Sequence, residues 1–248
     1  MTRIREAAGL LRFVLSHPAN RGRSLSALAR FLGWQTWKRL ARRPRDLLFE
    51  DGYRLRAWPD STVASLMIYC RGRPDWDEAR FLLHFLRPGD GFVDVGAHIG
   101  TYSLLAAACV GPTGWVEAFE PSPDSIERFR CNLRLNDFPW VKLHEAAVGQ
   151  GSGTVRFTTG LKPMNQIANR EETASIEVRQ VKLDDILADR GPAVAKLDIE
   201  GAEPLALAGW EQSLRQGSPV ALLIEVNEGI RRFGFHESEL AKWLAERG

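Results

Sequence analysis

The chain has 248 residues, of which 44% are hydrophobic and 26% charged, so its composition excludes disordered, collagen-like and low-complexity classes. That length accommodates one α/β domain of ordinary size with a short extension, and no apolar run approaches the roughly 20 residues that cross a bilayer. The net charge of +2 hides a division: residues 1–50 hold eleven Lys/Arg against three Asp/Glu, and residues 51–248 are net acidic.

Residues 3–45 carry apolar positions at helical spacing (Leu11, Val14 and Leu15, then Leu28, Phe31, Leu32 and Trp34), which predicts basic amphipathic helices. Two readings stay open for them: a solvated cover on the main domain, or peripheral contact with anionic lipid or an acidic partner. Arg12 splits the first apolar run and no small-residue cleavage pattern follows, so no secretory signal is expected and the expected location is cytoplasmic. Cys70, Cys109 and Cys131 lack metal-ligand spacing and are expected as buried thiols. Residues 1–74 thus form a basic helical extension and linker, and 75–248 form the main domain.

From residue 75 short apolar runs alternate with helical periodicity, as in a parallel sheet wrapped by helices. Asp75 and Glu78 open a helix that Pro88-Gly89 stops. Strands are predicted at 92–95, 115–119 and 141–148, separated by a helix over 101–110 and another starting at Ser122-Pro123. Two β-rich runs at 154–159 and 175–181, joined by a polar loop through Asn165, predict an inserted hairpin. Strands four and five follow at 194–199 and 220–226, with a helix from near Glu203 between them and a last helix over 237–246.

The chemistry concentrates at Asp94-Val95-Gly96-Ala97-His98-Ile99-Gly100, where a buried strand turns into a helix. Gly96 and Gly100 let backbone approach a ligand closely, and the helix start behind them offers free N–H groups. Glu120, before Pro121 at the end of the next strand, is placed to accept hydrogen bonds from the two hydroxyls of a ribose. The G-x-G-x-x-G pattern of pyrophosphate binding is absent, and Asp94 would repel phosphate. An acid there suits the ammonium and sulfonium of S-adenosylmethionine. Ala147, at the end of strand three, would border the adenine.

The stretches 92–100, Ala118-Phe119-Glu120-Pro121, and Lys196-Leu197-Asp198-Ile199-Glu200-Gly201-Ala202-Glu203 resemble the FkbM-family methyltransferases, and 181–185 is similar to that family as well. The resemblance implies a class I methyltransferase (Rossmann-like) three-layer α/β sandwich, S-adenosylmethionine as donor, and O-methylation of a sugar, glycan or natural-product hydroxyl.

Methyl transfer to oxygen needs alignment first and then a group to take the alcohol's proton. Asp198, Glu200, Lys196 and His98 are the candidates. Asp198 leads by its place at the end of strand four, and His98 has the ordinary pKa best suited to the task. Lys196 and Asp198 share a strand face and are expected to pair. Glu200 and Glu203 flank Gly201 at a helix start, where capping explains them nearly as well as chemistry. Asp198 with Glu225 and Asn227 also resembles an oxygen-ligand set for a divalent metal, left open here.

Sheets of this class continue past strand five into two further strands, which the stretch to Gly248 does not provide. A shortened C-terminus is therefore expected, with the edge beside strand five exposed or covered. Three rival readings exist: a catalytically silent methyltransferase-like binding module, a nicotinamide-dependent dehydrogenase, and a nucleic-acid methyltransferase. The dehydrogenase is opposed by the missing glycine pattern. The nucleic-acid enzyme is opposed by the acidic Asp198-Ile199-Glu200, so a small-molecule or glycan acceptor and no nucleic acid are expected.

Overall fold

The computed structural model describes residues 2–158, 167, 175–188 and 190–246, and the chain divides into two compact units that meet in sequence at Phe85 and Leu86. The first unit contains α1 (Thr2–Ser16), α2 (Ser24–Leu40), an antiparallel hairpin of β1 (Arg45–Leu48) and β2 (Arg54–Ala57), α3 (Thr62–Tyr69) and α4 (Trp76–Phe85). Its core gathers Val14, Ala27, Phe31, Trp34, Ala64 and Tyr69. Asn20 ties α1 to α3 by donating to the carbonyls of Val14 (2.7 Å) and Tyr69 (3.0 Å). The two helices expected in 3–45 are present. The hairpin and α3 occupy what was expected to be linker: in β2, Leu55 and Ala57 are buried between outward arginines, and Ser61 caps α3 by accepting the Ala64 N–H at 3.1 Å. Cys70 is buried, which pushes its thiol up to about 12, while Cys109 and Cys131 are only half-buried.

The second unit holds β3 (Gly91–Val95), α5 (Thr101–Val110), β4 (Trp115–Phe119), α6 (Pro123–Arg134), β5 (Val141–His144), β6 (Ala147–Val148), β7 (Gly153–Thr158), β8 (Ser175–Val181), α7 (Leu183–Leu187), β9 (Val194–Leu197), α8 (Glu203–Ala208), α9 (Glu211–Arg215), β10 (Ala221–Ile224) and α10 (Glu237–Ala245). Five strands form one parallel sheet in the order β10-β9-β3-β4-β5. β3, β4 and β9 are short and almost wholly buried because helices cover both faces, and the few charged residues within them (Asp94, Glu117 and Lys196) are paired inside the protein. On one face Val93, Val95, Phe119, Ala195 and Leu197 pack with Leu183, Leu187, Leu207, Trp210, Leu214 and Leu240 from α7 to α10. On the other, Ala118 meets Phe129 of α6, and Ser103 of α5 reaches Asp94 of β3. This is the class I methyltransferase arrangement, a Rossmann-like three-layer sandwich whose strand order reverses between β3 and β9.

The third predicted strand is corrected. Only 141–144 joins the parallel sheet; the chain then leaves it, and Ala147–Val148 pairs with β8 in a second sheet of order β6-β8-β7. β5 is an edge strand, so departure gives up hydrogen bonds on one side only, and Ala146 and Val148 gain burial against the α7–α9 layer. The inserted hairpin is present as antiparallel β7 and β8, while the polar loop through Asn165 lies outside the described residues. Among the described residues no strand pairs with the outer edge of β10, and no helix is long and apolar enough to cross a membrane.

Candidate donor and acceptor site at the carboxyl ends of the strands

The turns after β3, β4, β9 and β10 all emerge at the carboxyl ends of the parallel strands. Gly96 has φ +88°, and a Cβ there would overlap the carbonyl oxygen of Asp198; Gly100 has φ +86°, and a Cβ would overlap the Phe129 ring. Close approaches within the protein itself are enough to exclude a side chain at either position. Between them His98 is held in the left-handed region at φ +51°, and Glu200, in the turn after β9, at φ +57°. Non-glycine residues adopt this conformation rarely, and it clusters at sites where the surroundings fix the backbone.

Asp94 is buried in β3. Its Oδ2 accepts from Ser103 Oγ at 2.5 Å, and its Oδ1 is buried with no hydrogen-bond partner. Burial pushes its carboxyl above the ordinary range, against the opposing pull of Lys196 and Ser103. Glu120 is held by two backbone donors, His98 N–H to Oε2 and Ser122 N–H to Oε1, each at 2.8 Å. Burial nevertheless pushes it up to about 7, with the charge of Asp94 adding to the rise. The two acids therefore stand within electrostatic reach of each other, at the ends of adjacent strands, as the sequence predicts. Pro121 follows, half-buried, and leads into α6. Ala147 sits in β6, paired with Gln180 of β8, so its expected place at the end of a third parallel strand is corrected.

Beside them, Lys196 donates from Nζ to Asp198 Oδ2 at 2.5 Å and lies 4.8 Å from the centre of the Tyr102 ring. The expected pair on one strand face is formed. Burial works to raise the Asp198 carboxyl, but Lys196 and a hydrogen bond with Glu225 outweigh it and hold it below the usual range. Glu225 is pushed up to about 8, first by its hydrogen bond with Asp198 and then by partial desolvation. Glu200 is raised by partial burial and by Asp198. His98 is pushed down to about 4, chiefly by burial and secondarily by Arg128, so its imidazole is neutral and loses the advantage in basicity that its ordinary pKa gave it in the sequence argument.

Glu203 is fully buried at the start of α8 and accepts the N–H groups of Ile199 (2.8 Å) and Gly201 (3.2 Å), which shapes the turn carrying Glu200. Its structural role is legible in the sequence; the roles of Ser103 and Tyr102, which meet Asp94 and Lys196 from α5, are not. Their only signal is position, one and two residues into the helix after Thr101, where the reversal of chain direction brings them back along β3. Asn227 accepts the Gly229 N–H at 2.8 Å, capping the turn after β10. Among the described residues no group of three His, Cys, Asp or Glu side chains is arranged to hold a metal ion.

Residues 94–248 match the Methyltransferase FkbM domain, and the chain belongs to that family. It is 30% identical to 31-O-demethyl-FK506 methyltransferase FkbM of Streptomyces tacrolimicus, over 52% of this chain and 62% of that protein. It is 27% identical to Methyltransferase 1 of Beauveria bassiana, over 50% of this chain and 60% of that one, so it spans less than two thirds of either relative. Among solved structures, the methyltransferase FkbM from Methylobacillus flagellatus covers 90% of this chain and is covered over 54% of its own length, at 17% identity and a TM-score of 0.48.

Proposed function

We propose that the protein is an S-adenosylmethionine-dependent O-methyltransferase acting on a hydroxyl of a sugar, glycan or natural product, not on nucleic acid. The observation that carries this is the pair of buried carboxylates, Asp94 and Glu120, at the ends of adjacent parallel strands, with Asp94 Oδ1 buried and without a hydrogen-bond partner. A buried acceptor of this kind calls for a cationic donor, which the ammonium of the methionyl group provides, and the residues fit S-adenosylmethionine in that respect. Glu120 spends one lone pair of each oxygen on a backbone amide and keeps others for the ribose hydroxyls. The name of the Streptomyces relative supports oxygen as the methylated atom and a natural product as the acceptor class.

When bound, the cofactor supplies a methyl group made electrophilic by its sulfonium. Asp198 is the chain's group to accept the alcohol's proton. Its carboxyl is a weak base, yet an oxygen gaining a methyl group becomes strongly acidic, so a positioned weak base suffices. Lys196 fixes the orientation of Asp198, and Glu225 shares the charge. Glu200 borders the same turn, and neutral His98 serves through its backbone N–H to Glu120.

Calorimetry with S-adenosylmethionine and its demethylated product tests the reading. Both ligands are expected to bind the wild type, and Glu120→Ala to abolish binding. Absence of heat with either ligand at high micromolar concentration overturns it. Transfer of labelled methyl groups to a panel of hydroxylated acceptors then tests the substrate class. In that assay Asp198→Asn is expected to lower turnover by about 10²-fold or more while leaving donor binding in place.

A further inference from the structure

Helix α2 has two apolar sides. Ala27, Phe31 and Trp34 recur at helical spacing and are buried in the first unit's core. Offset by about half a turn, Leu25, Leu32 and Leu40 form a second series on the opposite side, and they are 85%, 54% and 80% exposed. Ala29 and Thr36, exposed as well, fall between them on the same stripe, which runs about 22 Å from Leu25 to Leu40. Isolated aliphatic side chains on a surface are ordinary; three large ones aligned along one helix face are not explained by packing.

The charge flanking the stripe is mostly positive, with Glu50 lying 4.0 Å from Arg23 as an acidic neighbour. Residues 7–45 contain nine Lys/Arg and no Asp/Glu. Arg21 and Arg23 precede α2, while Arg39, Arg42, Arg43 and Arg45 crowd its other end, all exposed. The guanidinium groups of Arg43 and Arg45 lie 5.3 and 5.5 Å from the centre of the Trp37 ring, and Trp37 Nε1 donates to the Arg43 carbonyl at 2.9 Å, so the basic tail is fixed beside Leu40.

We propose that this face of α2 is a docking surface for an anionic lipid bilayer, with Leu25, Leu32 and Leu40 inserted among the acyl chains and the flanking arginines on the headgroup phosphates. A convex row of separate leucines offers no groove to a folded partner, whereas a fluid bilayer fits any outline, and the predominantly positive surround complements negative headgroups. The proposal is independent of the methyl-transfer reading.

Flotation of the full chain with vesicles decides it. Binding is expected to phosphatidylcholine vesicles containing a quarter phosphatidylglycerol, to fall with added salt, and to be weak on pure phosphatidylcholine. Replacing the three leucines (Leu25→Glu, Leu32→Glu, Leu40→Glu) is expected to lower affinity more than about tenfold with the melting temperature unchanged, because these side chains make little of the fold. Leu25→Glu alone, at the most exposed position, is the second variant if the triple one melts early, with a smaller loss expected. Failure of the wild type to bind anionic vesicles, equal binding to neutral ones, or full binding by the variants overturns the proposal. So does a wild-type dimer that the leucine variants turn into a monomer while vesicles go unbound, since the stripe would then belong to a second copy.

Discussion

Glu120 combines two demands that oppose each other. Two amide donors stabilise its charged form, but burial prevails and lifts its carboxyl from the usual value near 4.5 to about 7. A raised acid favours folding fully below its unfolded pKa and loses that contribution as pH rises through the folded value. Glu120→Gln is therefore expected to remove a decline in stability between about pH 4.5 and 7, while melting below the wild type at pH 5 because its amide nitrogen cannot accept the second backbone N–H; melting temperatures across that range check it. Under the proposed function, donor binding to the wild type strengthens over the same interval, because the ionised carboxylate is the better acceptor for ribose hydroxyls. Glu203 meets the same conflict, its carboxyl raised by burial against the pull of backbone amides. Its carboxylate satisfies the buried amides of the turn at 199–201, so Glu203→Ala is expected to cost about 2 kcal/mol or more, measured by chemical denaturation, and Glu203→Gln markedly less.

The elements that periodicity describes well are those whose environment is uniform along their length. The helix at 101–110 and the strand at 115–119 lie where sequence places them, since one is apolar nearly all round and the other is flanked by glycine and proline turns. Where environment changes within a run, periodicity fails. Residues 141–148 read as one strand, but their second half is claimed by β8, whose paired residues lie more than thirty positions further along the chain. Glu117 was hidden likewise: an acid inside a buried strand, it is balanced by His144 and Arg190, whose guanidinium also lies 4.6 Å from the centre of the Trp115 ring. None of these partners is local. Long-range support of the same kind holds α9, whose amides at Gln212 and Ser213 donate to Asp184 of α7 at 3.0 and 3.1 Å. Asp184→Ala is expected to destabilise the protein by about 1 kcal/mol, with the loss visible as faster hydrogen exchange in α9.

At the scale of the molecule, each of the two units closes its own core. Trp34→Ala removes a buried indole that also donates to Ser65 Oγ at 2.9 Å, and is expected to cost the first unit about 3–5 kcal/mol. If the donor site belongs to the second unit alone, calorimetry with S-adenosylmethionine at a temperature where the variant stays folded gives an unchanged affinity. The carboxylates at the strand ends were legible in sequence because strand order and strand ends can be inferred together. Their protonation was not, since burial and the identity of a neighbour across the sheet decide it.

The contact between Gly96 and the Asp198 carbonyl joins the turn after β3 to the turn after β9 with no side chain between them. Neither can be re-aimed alone: any change that shifts Asp198 to suit a different alcohol also displaces the loop that would cradle the methyl donor. Under the proposed function, variation in what the enzyme accepts is thus steered away from these two bends and toward surfaces that do not share an atom with the donor's seat.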